Sequence, residues 1–442
     1  MRQAGTQSNP HKVRTLATIT PFRGYRYNPE KTEDLAQVVC PPYDVITLRA
    51  RDEFYDRDIH NVIRIILGKD LPGDTEFRNK YTRAAEYLKS WQEEKTLTRD
   101  PQASIYAYEQ EFSIEGKKSI RRGFMALVKI EDLRTGAIFP HENTLPKKRE
   151  DRLRLMRACR ANLSPVFALY PDEKTNVYDI LKPAMSAPPE IDFVWTDGTR
   201  NRVWAINNWA TIESVSNLME HKPLFIADGH HRYEVAAEFS KEAKGTLGGR
   251  ADYVMMMLIS MNDPGLFILP IHRLVRVPEE NPDLSVVDIL EEHFYIEPQE
   301  RVNDYASLKE ALEKSPDHTF GLYVGSNKKY YLLSLASDKT PERAFKEEPE
   351  CIRRLDTRIL HGLALEKILG EHIADEKYIK YVHDVHEALE LVDDEDYDLV
   401  FFLKPTMIEQ VRDVASARLK MPPKTTFFHP KLLTGLVINC ME

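Results

Sequence analysis

Between Leu224 and Phe239 the chain reads L-F-I-A-D-G-H-H-R-Y-E-V-A-A-E-F, and Asp228-Gly229-His230-His231-Arg232 at its centre are residue types that handle anions. Leu224 to Ala227 is a short apolar run of strand type. From about His231 the spacing turns helical. Tyr233, Ala236 and Ala237 share one face, Val235 and Phe239 lie four apart beside it, and Gly245 is a stop signal. A strand that turns through Asp-Gly into a helix leaves backbone N–H groups aimed at one spot. Those groups and the helix dipole favour an anion, and an arginine just inside the helix can clamp phosphate oxygens. The same letters also spell an ordinary strand–turn–helix junction, in which Asp228 only caps the helix and the histidines are solvated.

A second cluster is Ile138-Phe139-Pro140-His141-Glu142-Asn143-Thr144-Leu145-Pro146, which ends a strand and precedes a helix expected over about Glu150 to Ala161. His141-Glu142 in this setting is a metal pair, a general base or an exposed polar loop. It lacks the second histidine of H-E-x-x-H, which argues against a zinc protease. The helix after it carries Lys147, Lys148, Arg149, Arg152, Arg154, Arg157 and Arg160 against Glu150 and Asp151. Such a run is a solvated face or a source of cations for a polyphosphate.

Three further segments hold polar side chains in stiff backbone. Cys40-Pro41-Pro42-Tyr43-Asp44 follows an apolar stretch, and its prolines present Tyr43 and Asp44 in a defined pose or simply reverse the chain. His272 and Arg273 end a strand and either join a site or cap the sheet. Met421 to Lys431, M-P-P-K-T-T-F-F-H-P-K, is a rigid loop exposing two lysines, two threonines and a histidine; either Lys424 with Thr425 and Thr426 forms an anion contact, or the stretch is a polar loop before the final strand.

The elements that must position these residues are legible in outline. Leu16–Phe22, Leu35–Cys40 and Asn61–Leu67 read as strands, Asn79–Lys95 as a helix, and Ile105–Ile114 with Arg121–Ile130 as a hairpin around Glu115-Gly116-Lys117. Tyr253–Ser260 is a buried strand, and Asn262-Asp263-Pro264-Gly265 a turn. Val277–Leu284 reads as a linker. Beyond it helices are expected over Ser285–Phe294, Tyr305–Lys314 and Leu355–Leu369, with a hairpin from Thr319 to Leu335. The elements read as α+β: a polar tail over 1–15, a core over 16–277, and a C-terminal mixed α/β domain over 278–442.

Composition bounds the function. The chain has 442 residues, 42% hydrophobic and 30% charged, with no apolar run long enough to span a membrane. Four scattered cysteines without a C-x-x-C pair fit a reducing cytoplasm, and the polar N-terminus lacks the apolar stretch of a secretion signal. A net charge of −9 argues against a protein that coats nucleic acid.

Taken together, P-P-Y-D-V-I, H-E-N-T, A-D-G-H-H-R-Y-E-V-A, D-P-G-L and M-P-P-K-T-T-F-F-H-P-K resemble the domain-of-unknown-function family 1015, whose members are often labelled ParB-like. The resemblance implies a ParB/sulfiredoxin-like nucleotide-binding core. In that superfamily a G-x-x-R turn holds phosphates: G-E-R-R in ParB-type partition proteins, G-C-H-R in sulfiredoxins, D-G-x-H-R in free-serine kinases. The kinases also carry an H-E-x-T segment whose glutamate is the catalytic base. This chain is similar to the kinase version at both places, although Glu142 and Asp228 lie 86 positions apart (228 − 142), further than in the compact kinases, which implies an insertion at about 172–220.

The expectation is then a nucleotide-dependent phosphotransferase acting on a hydroxyl of a small metabolite, free serine or a related hydroxy acid. Glu142 would be the base and Asp228 and His231 its catalytic partners, with Asp228 also the Mg²⁺ ligand. Gly229, His230, Arg232 and Thr144 would hold the phosphates of ATP or ADP. Tyr43, Asp44, His141, His272, Arg273, Lys424 and Thr425 are the candidates for substrate binding. The alternative is a ParB-like nucleotide-binding regulator. It calls for a helix-turn-helix after the G-x-x-R element and for a basic face, and the sequence has neither signal. Sulfiredoxin chemistry needs a cysteine where His230 stands.

Overall fold

The structure is a computed structural model that describes residues 17–278, 285–299, 302 and 304–441, so the polar tail and most of the expected linker lie outside the described residues. It is a mixed α/β protein with several sheets. Two compact units divide the chain. The first holds residues up to Pro140, Thr144–Gly265 and Lys431 onward; the second holds His141–Asn143 and Leu266–Pro430. The sequence places a boundary near residue 277, and the contacts change partners at Gly265–Leu266.

The first unit is built on a nine-stranded mixed sheet. Its order is Ile138–Pro140, Leu224–Asp228, Val166–Tyr170, Tyr253–Ser260, Lys117–Lys129, Ile105–Ile114, Arg200–Ile206, Ile191–Val194, with Ile19–Thr20 pairing the end of Lys117–Lys129. The expected hairpin forms with Ile114 opposite Lys117, and Glu115 and Gly116 take positive φ of 52° and 76° in a two-residue turn. The region expected as an insertion supplies Arg200–Ile206, which pairs with Ile105–Ile114 along its whole length. One face of the sheet packs Ile105, Phe124, Ala168, Leu224, Ile226 and Met256 against Val215, Tyr233 and Ala236 of the helices that cover it.

Two expected strands are corrected to helices. Leu35–Val38 is a short helix whose first turn is capped by the Asp34 carboxylate accepting from the Ala36 amide. Ile63–Ile66 is likewise helical, with the Asn61 side chain accepting from the Ile63 amide. Val62, Ile63, Ile65 and Ile66 are all buried with Arg64 partly exposed between them, and a mostly apolar run this short has too few positions for a period to separate strand from helix. The helix expected over Asn79–Lys95 forms over Lys80–Glu93, with Asn79 as its N-cap.

The second unit has a six-stranded sheet in the order Phe294–Pro298, Lys329–Leu335, Thr319–Val324, Leu399–Phe402, His272–Val275, Ile379–Val382. The helix expected over Leu355–Leu369 is interrupted. Asp356–Leu360 leads into a π-turn at His361–Leu365 and then Glu366–Leu369. The helix expected over Ser285–Phe294 stops at Glu291, and Phe294 begins a strand.

Candidate functional site

In the first unit the strand Leu224–Asp228 delivers the chain to Gly229, which sits at φ 92° as the N-cap of the helix His230–Glu242. Gly229, having no side chain, makes no cap hydrogen bond to that helix. Asp228 does not cap it either. Pairing shifts by one residue between Ile226 and Asp228, and this bulge sets Asp228 opposite Phe167. Partners across a sheet share a face, so Asp228 leaves the apolar face that holds Leu224 and Ile226.

There the carboxylate meets two cations. Lys431 Nζ donates to Oδ2 at 2.7 Å and Arg232 Nη2 donates to Oδ1 at 2.9 Å. Burial alone would raise the Asp228 pKa; Lys431 and Arg232 overcome that and hold it well below the usual carboxylate range. Arg232 also donates to the Pro165 carbonyl, and its buried Nε has no hydrogen-bond partner among the described residues. Its guanidinium lies over Gly229, where a Cβ would stand 2.8 Å from Cζ.

The histidines are not simply solvated. His230 is buried, and His231 Nε2 accepts from the Leu145 amide at 2.9 Å, which caps the helix Pro146–Cys159 from outside. An accepting Nε2 requires a ring unprotonated at that nitrogen. Burial, with Lys148 adding to it, pulls the His231 pKa down accordingly. Thr144 donates its hydroxyl to Glu234.

The basic helix is in part a solvated face, with Lys147, Lys148 and Arg160 exposed, and in part paired. Arg149 pairs with Glu234 and Glu238, Arg154 with Glu150 and Arg157 with Glu242. Arg152 is buried, donates to the Ile66 carbonyl at 2.6 Å and lies 4.1 Å from the centre of the Tyr43 ring. Tyr43 opens a single 3-10 turn, Tyr43–Val45, set up by Pro42. Burial pushes its hydroxyl up to about 12, and that hydroxyl has no hydrogen-bond partner among the described residues. Tyr43, Arg152 and Arg232 line a cavity of about 50 Å³ whose other walls include Leu155, Met156 and Val235. Asp44 is exposed beside them and acts on His231 through charge.

Comparison with known families places the chain. The family model described as "Protein of unknown function (DUF1015)" matches residues 19–358. The chain belongs to the DUF1015 family. No curated protein matches this DUF1015 chain. Among solved structures, a conserved hypothetical protein from Pyrococcus furiosus is 14% identical, covering 67% of this chain and 89% of its own, with a TM-score of 0.34. A free serine kinase variant in complex with AMP is 14% identical, with 66% and 83% covered and a TM-score of 0.35. SbnI with a C-terminal truncation from Staphylococcus aureus is 12% identical, with 70% and 85% covered and a TM-score of 0.35. Likenesses at this level carry no argument about chemistry.

The remaining sequence candidates of the DUF1015 chain fall in the second unit. His141 is fully buried with Nε2 3.3 Å from the Thr426 hydroxyl, and its carbonyl accepts from the Met421 amide at 2.8 Å. Glu142 is partly exposed, and its carbonyl accepts from Lys420 Nζ at 3.0 Å. His272 and Arg273 neither end nor cap a strand: they open the buried strand His272–Val275. Burial pulls His272 down to about 3, and its ring packs on Tyr305 and Phe402. Arg273 holds the Lys424 carbonyl at 3.0 Å, which leaves the Lys424 side chain exposed. Thr425 is buried, its hydroxyl 3.1 Å from that of Thr357 and donating to the Pro422 carbonyl at 2.7 Å.

Sequence reasoning noted Lys431 as one of two lysines in the rigid loop but did not assign it to the site; it lies beyond the residues the DUF1015 model matches. Gln110 fixes its backbone by donating to the Lys431 carbonyl at 3.3 Å. Gln110 in turn accepts from the buried Arg121, its cross-strand partner. Asp263 was read only as a turn residue. It accepts from the amides of Gly265 and Arg122, and burial pushes it up to about 6. The signal that could have pointed to Lys431 was its place in H-P-K after the rigid Pro-Pro loop.

Among the described residues no helix is long and apolar enough to cross a membrane. No group of three or more His, Cys, Asp or Glu stands together as a metal cage among them.

Proposed function

We propose that this protein is a nucleotide-dependent phosphotransferase that acts on the hydroxyl of a small metabolite, free serine or a related hydroxy acid. The observation that carries the reading is the cradle at Gly229: a helix N-terminus entered through a glycine, with Arg232 folded over it and Asp228 and Lys431 beside it. Backbone amides and a bidentate-capable guanidinium at one point are what a transferring phosphate requires. In this reading the amides after Gly229, with His230, Arg232 and Thr144, receive the phosphates of ATP or ADP. Asp228 is the carboxylate available to a nucleotide-borne Mg²⁺, which would neutralise charge on the phosphates.

Glu142 takes the role of general base from the resemblance of His141-Glu142-Asn143-Thr144 to the kinase motif, removing the acceptor's hydroxyl proton. His231, neutral and fixed by the Leu145 amide, orients the loop that leads from Thr144 into the basic helix. Tyr43 and Asp44 are assigned to substrate contacts because Tyr43 shares the small cavity with Arg232. The first unit, in this proposal, carries the ParB/sulfiredoxin-like nucleotide core.

A regulator that binds nucleotide without transfer is the second reading. It is favoured by one observation: both Asp228 oxygens are already held by cations. The deciding experiment incubates the full chain with ATP or ADP, Mg²⁺ and a panel of hydroxy amino acids and hydroxy acids, and follows phosphorylated product by ³¹P NMR. Transfer to one acceptor class supports the phosphotransferase. Nucleotide binding without transfer to any of them leaves the regulator. Absence of nucleotide binding removes both.

A further inference from the structure

Two side-chain groups among the residues that line the cavity beside Arg232 are left without partners. The others are committed. Arg152 Nε donates to Asp151 at 2.8 Å and its Nη1 to the Ile66 carbonyl at 2.6 Å. Asn162 Oδ1 accepts from the Met255 amide at 3.1 Å and from Asn439 Nδ2 at 2.9 Å. The Ser164 hydroxyl stands 2.9 Å from that of Thr434. Arg232 gives Nη1 to the Pro165 carbonyl and Nη2 to Asp228. There remain Arg232 Nε and the Tyr43 hydroxyl, both buried and without a hydrogen-bond partner among the described residues. Both are donors: a guanidinium offers only N–H, and burial keeps the proton on the Tyr43 oxygen.

A buried donor without an acceptor is unfavourable, and water or a ligand can supply the acceptor. Size and walls separate the two. One water takes roughly 10–15 Å³, so about 50 Å³ has room for about three or four such groups. Leu155, Met156, Leu163, Val235 and Val254 offer those waters little to bind. Arg152 and Arg232 line the cavity, and no carboxylate does. The occupant that matches is a carboxylate on a short hydrocarbon, with one oxygen for each donor and carbon against the apolar walls. We infer that this cavity is the carboxylate subsite for the phosphoryl acceptor, and that the acceptor is a short hydroxy acid without an α-ammonium group rather than serine. An ammonium one carbon from the carboxylate would lie beside two guanidiniums, with no acidic side chain in the wall to receive it. Arg232 then serves both ligands, phosphate through the face over Gly229 and carboxylate through Nε. The inference rests on the phosphotransferase reading for the role of the hydroxyl; the carboxylate subsite stands on the cavity alone.

The test is ligand-detected NMR titration of the full chain, with and without ADP, against matched probes. These are 3-hydroxypropionate, L-serine, which adds only the α-ammonium, and 1,3-propanediol, which replaces the carboxylate by a hydroxymethyl group. The hydroxy acid is expected to bind at least about tenfold more tightly than either of the others. Tyr43→Phe keeps the ring against Arg152 and removes one donor. It should weaken the hydroxy acid about tenfold, while the ligand-free variant melts no lower than wild type because the lost hydroxyl had no partner. A lower midpoint with unchanged binding would make Tyr43 merely structural and overturn the subsite. Serine binding as tightly as the hydroxy acid overturns the acceptor class, and the diol doing so overturns the carboxylate subsite. Either result leaves nucleotide binding and phosphoryl transfer to the ³¹P assay. Should Tyr43→Phe fail to fold, the wild-type titrations decide by themselves. If none of the probes binds, with or without ADP, the inference falls even where ADP itself is bound.

Discussion

Arg232 lies directly over Gly229, three residues before it, so close that the smallest side chain at Gly229 would enter the guanidinium. Two independent constraints meet at that glycine. The backbone at φ 92° disfavours any L side chain, and the space a Cβ needs is taken. The helix N-terminus and the cation above it are thus one local device.

Replacing Gly229 by alanine should damage both parts. Left-handed backbone costs roughly 1–2 kcal/mol for a residue with a Cβ, and the displaced guanidinium adds to that. The expected outcome in Gly229→Ala is a lower thermal midpoint together with loss of nucleotide binding by calorimetry. Wild-type affinity in a folded Gly229→Ala protein would mean that phosphates do not bind here.

Arg232→Ala removes the clamp while sparing the glycine. A charge-assisted hydrogen bond contributes on the order of 1.5–3 kcal/mol, so nucleotide affinity should drop roughly tenfold to a hundredfold. Some stability should go with it, because the Pro165 carbonyl and Asp228 both lose a donor. Calorimetric titration with ADP reads the affinity. An unchanged dissociation constant would move the phosphate site elsewhere.

Glu142→Gln separates catalysis from binding. The amide preserves shape and removes proton acceptance, so turnover should fall by roughly 10²–10⁴-fold with nucleotide affinity nearly intact. A loss that excess Mg²⁺ partly restores would point instead to a metal ligand. Full turnover in this variant would leave the proposed kinase without its base.

Asp263 offers a test by pH. Its carboxyl is raised to about 6 in the folded protein, above its ordinary value of 3.8. The native state therefore binds a proton that the unfolded chain releases, and the associated stability is present at low pH and lost as pH rises through about 4 to 6. Asp263→Asn cannot ionise. Its thermal midpoint relative to wild type should climb between pH 4 and pH 7. A difference that stays flat across that window would show that Asp263 titrates normally.

Local chemistry was enough to determine the parts whose signals are short in range. The strand at Leu224, the turn at Gly229, the helix after it, the Glu115-Gly116 hairpin and the Asn79 cap all follow from period, turn residue or cap within a few positions. Where a segment is short and mostly apolar, as at Ile63–Ile66 around Arg64, there were too few positions to read a period, and burial in the tertiary structure chose the helix. The π-turn at His361–Leu365 left no comparable trace, because its helical spacing continues on both sides. The site shows the same division. Asp228, Gly229 and Arg232 are adjacent in sequence and legible from it. The bulge that turns Asp228 beside Phe167 depends on pairing with a distant strand. The Lys431 ammonium arrives from 203 positions away, on a chain end that returns to the first unit. Period and turn chemistry are written within a few residues; an ion pair across that separation exists only once the chain has closed upon itself.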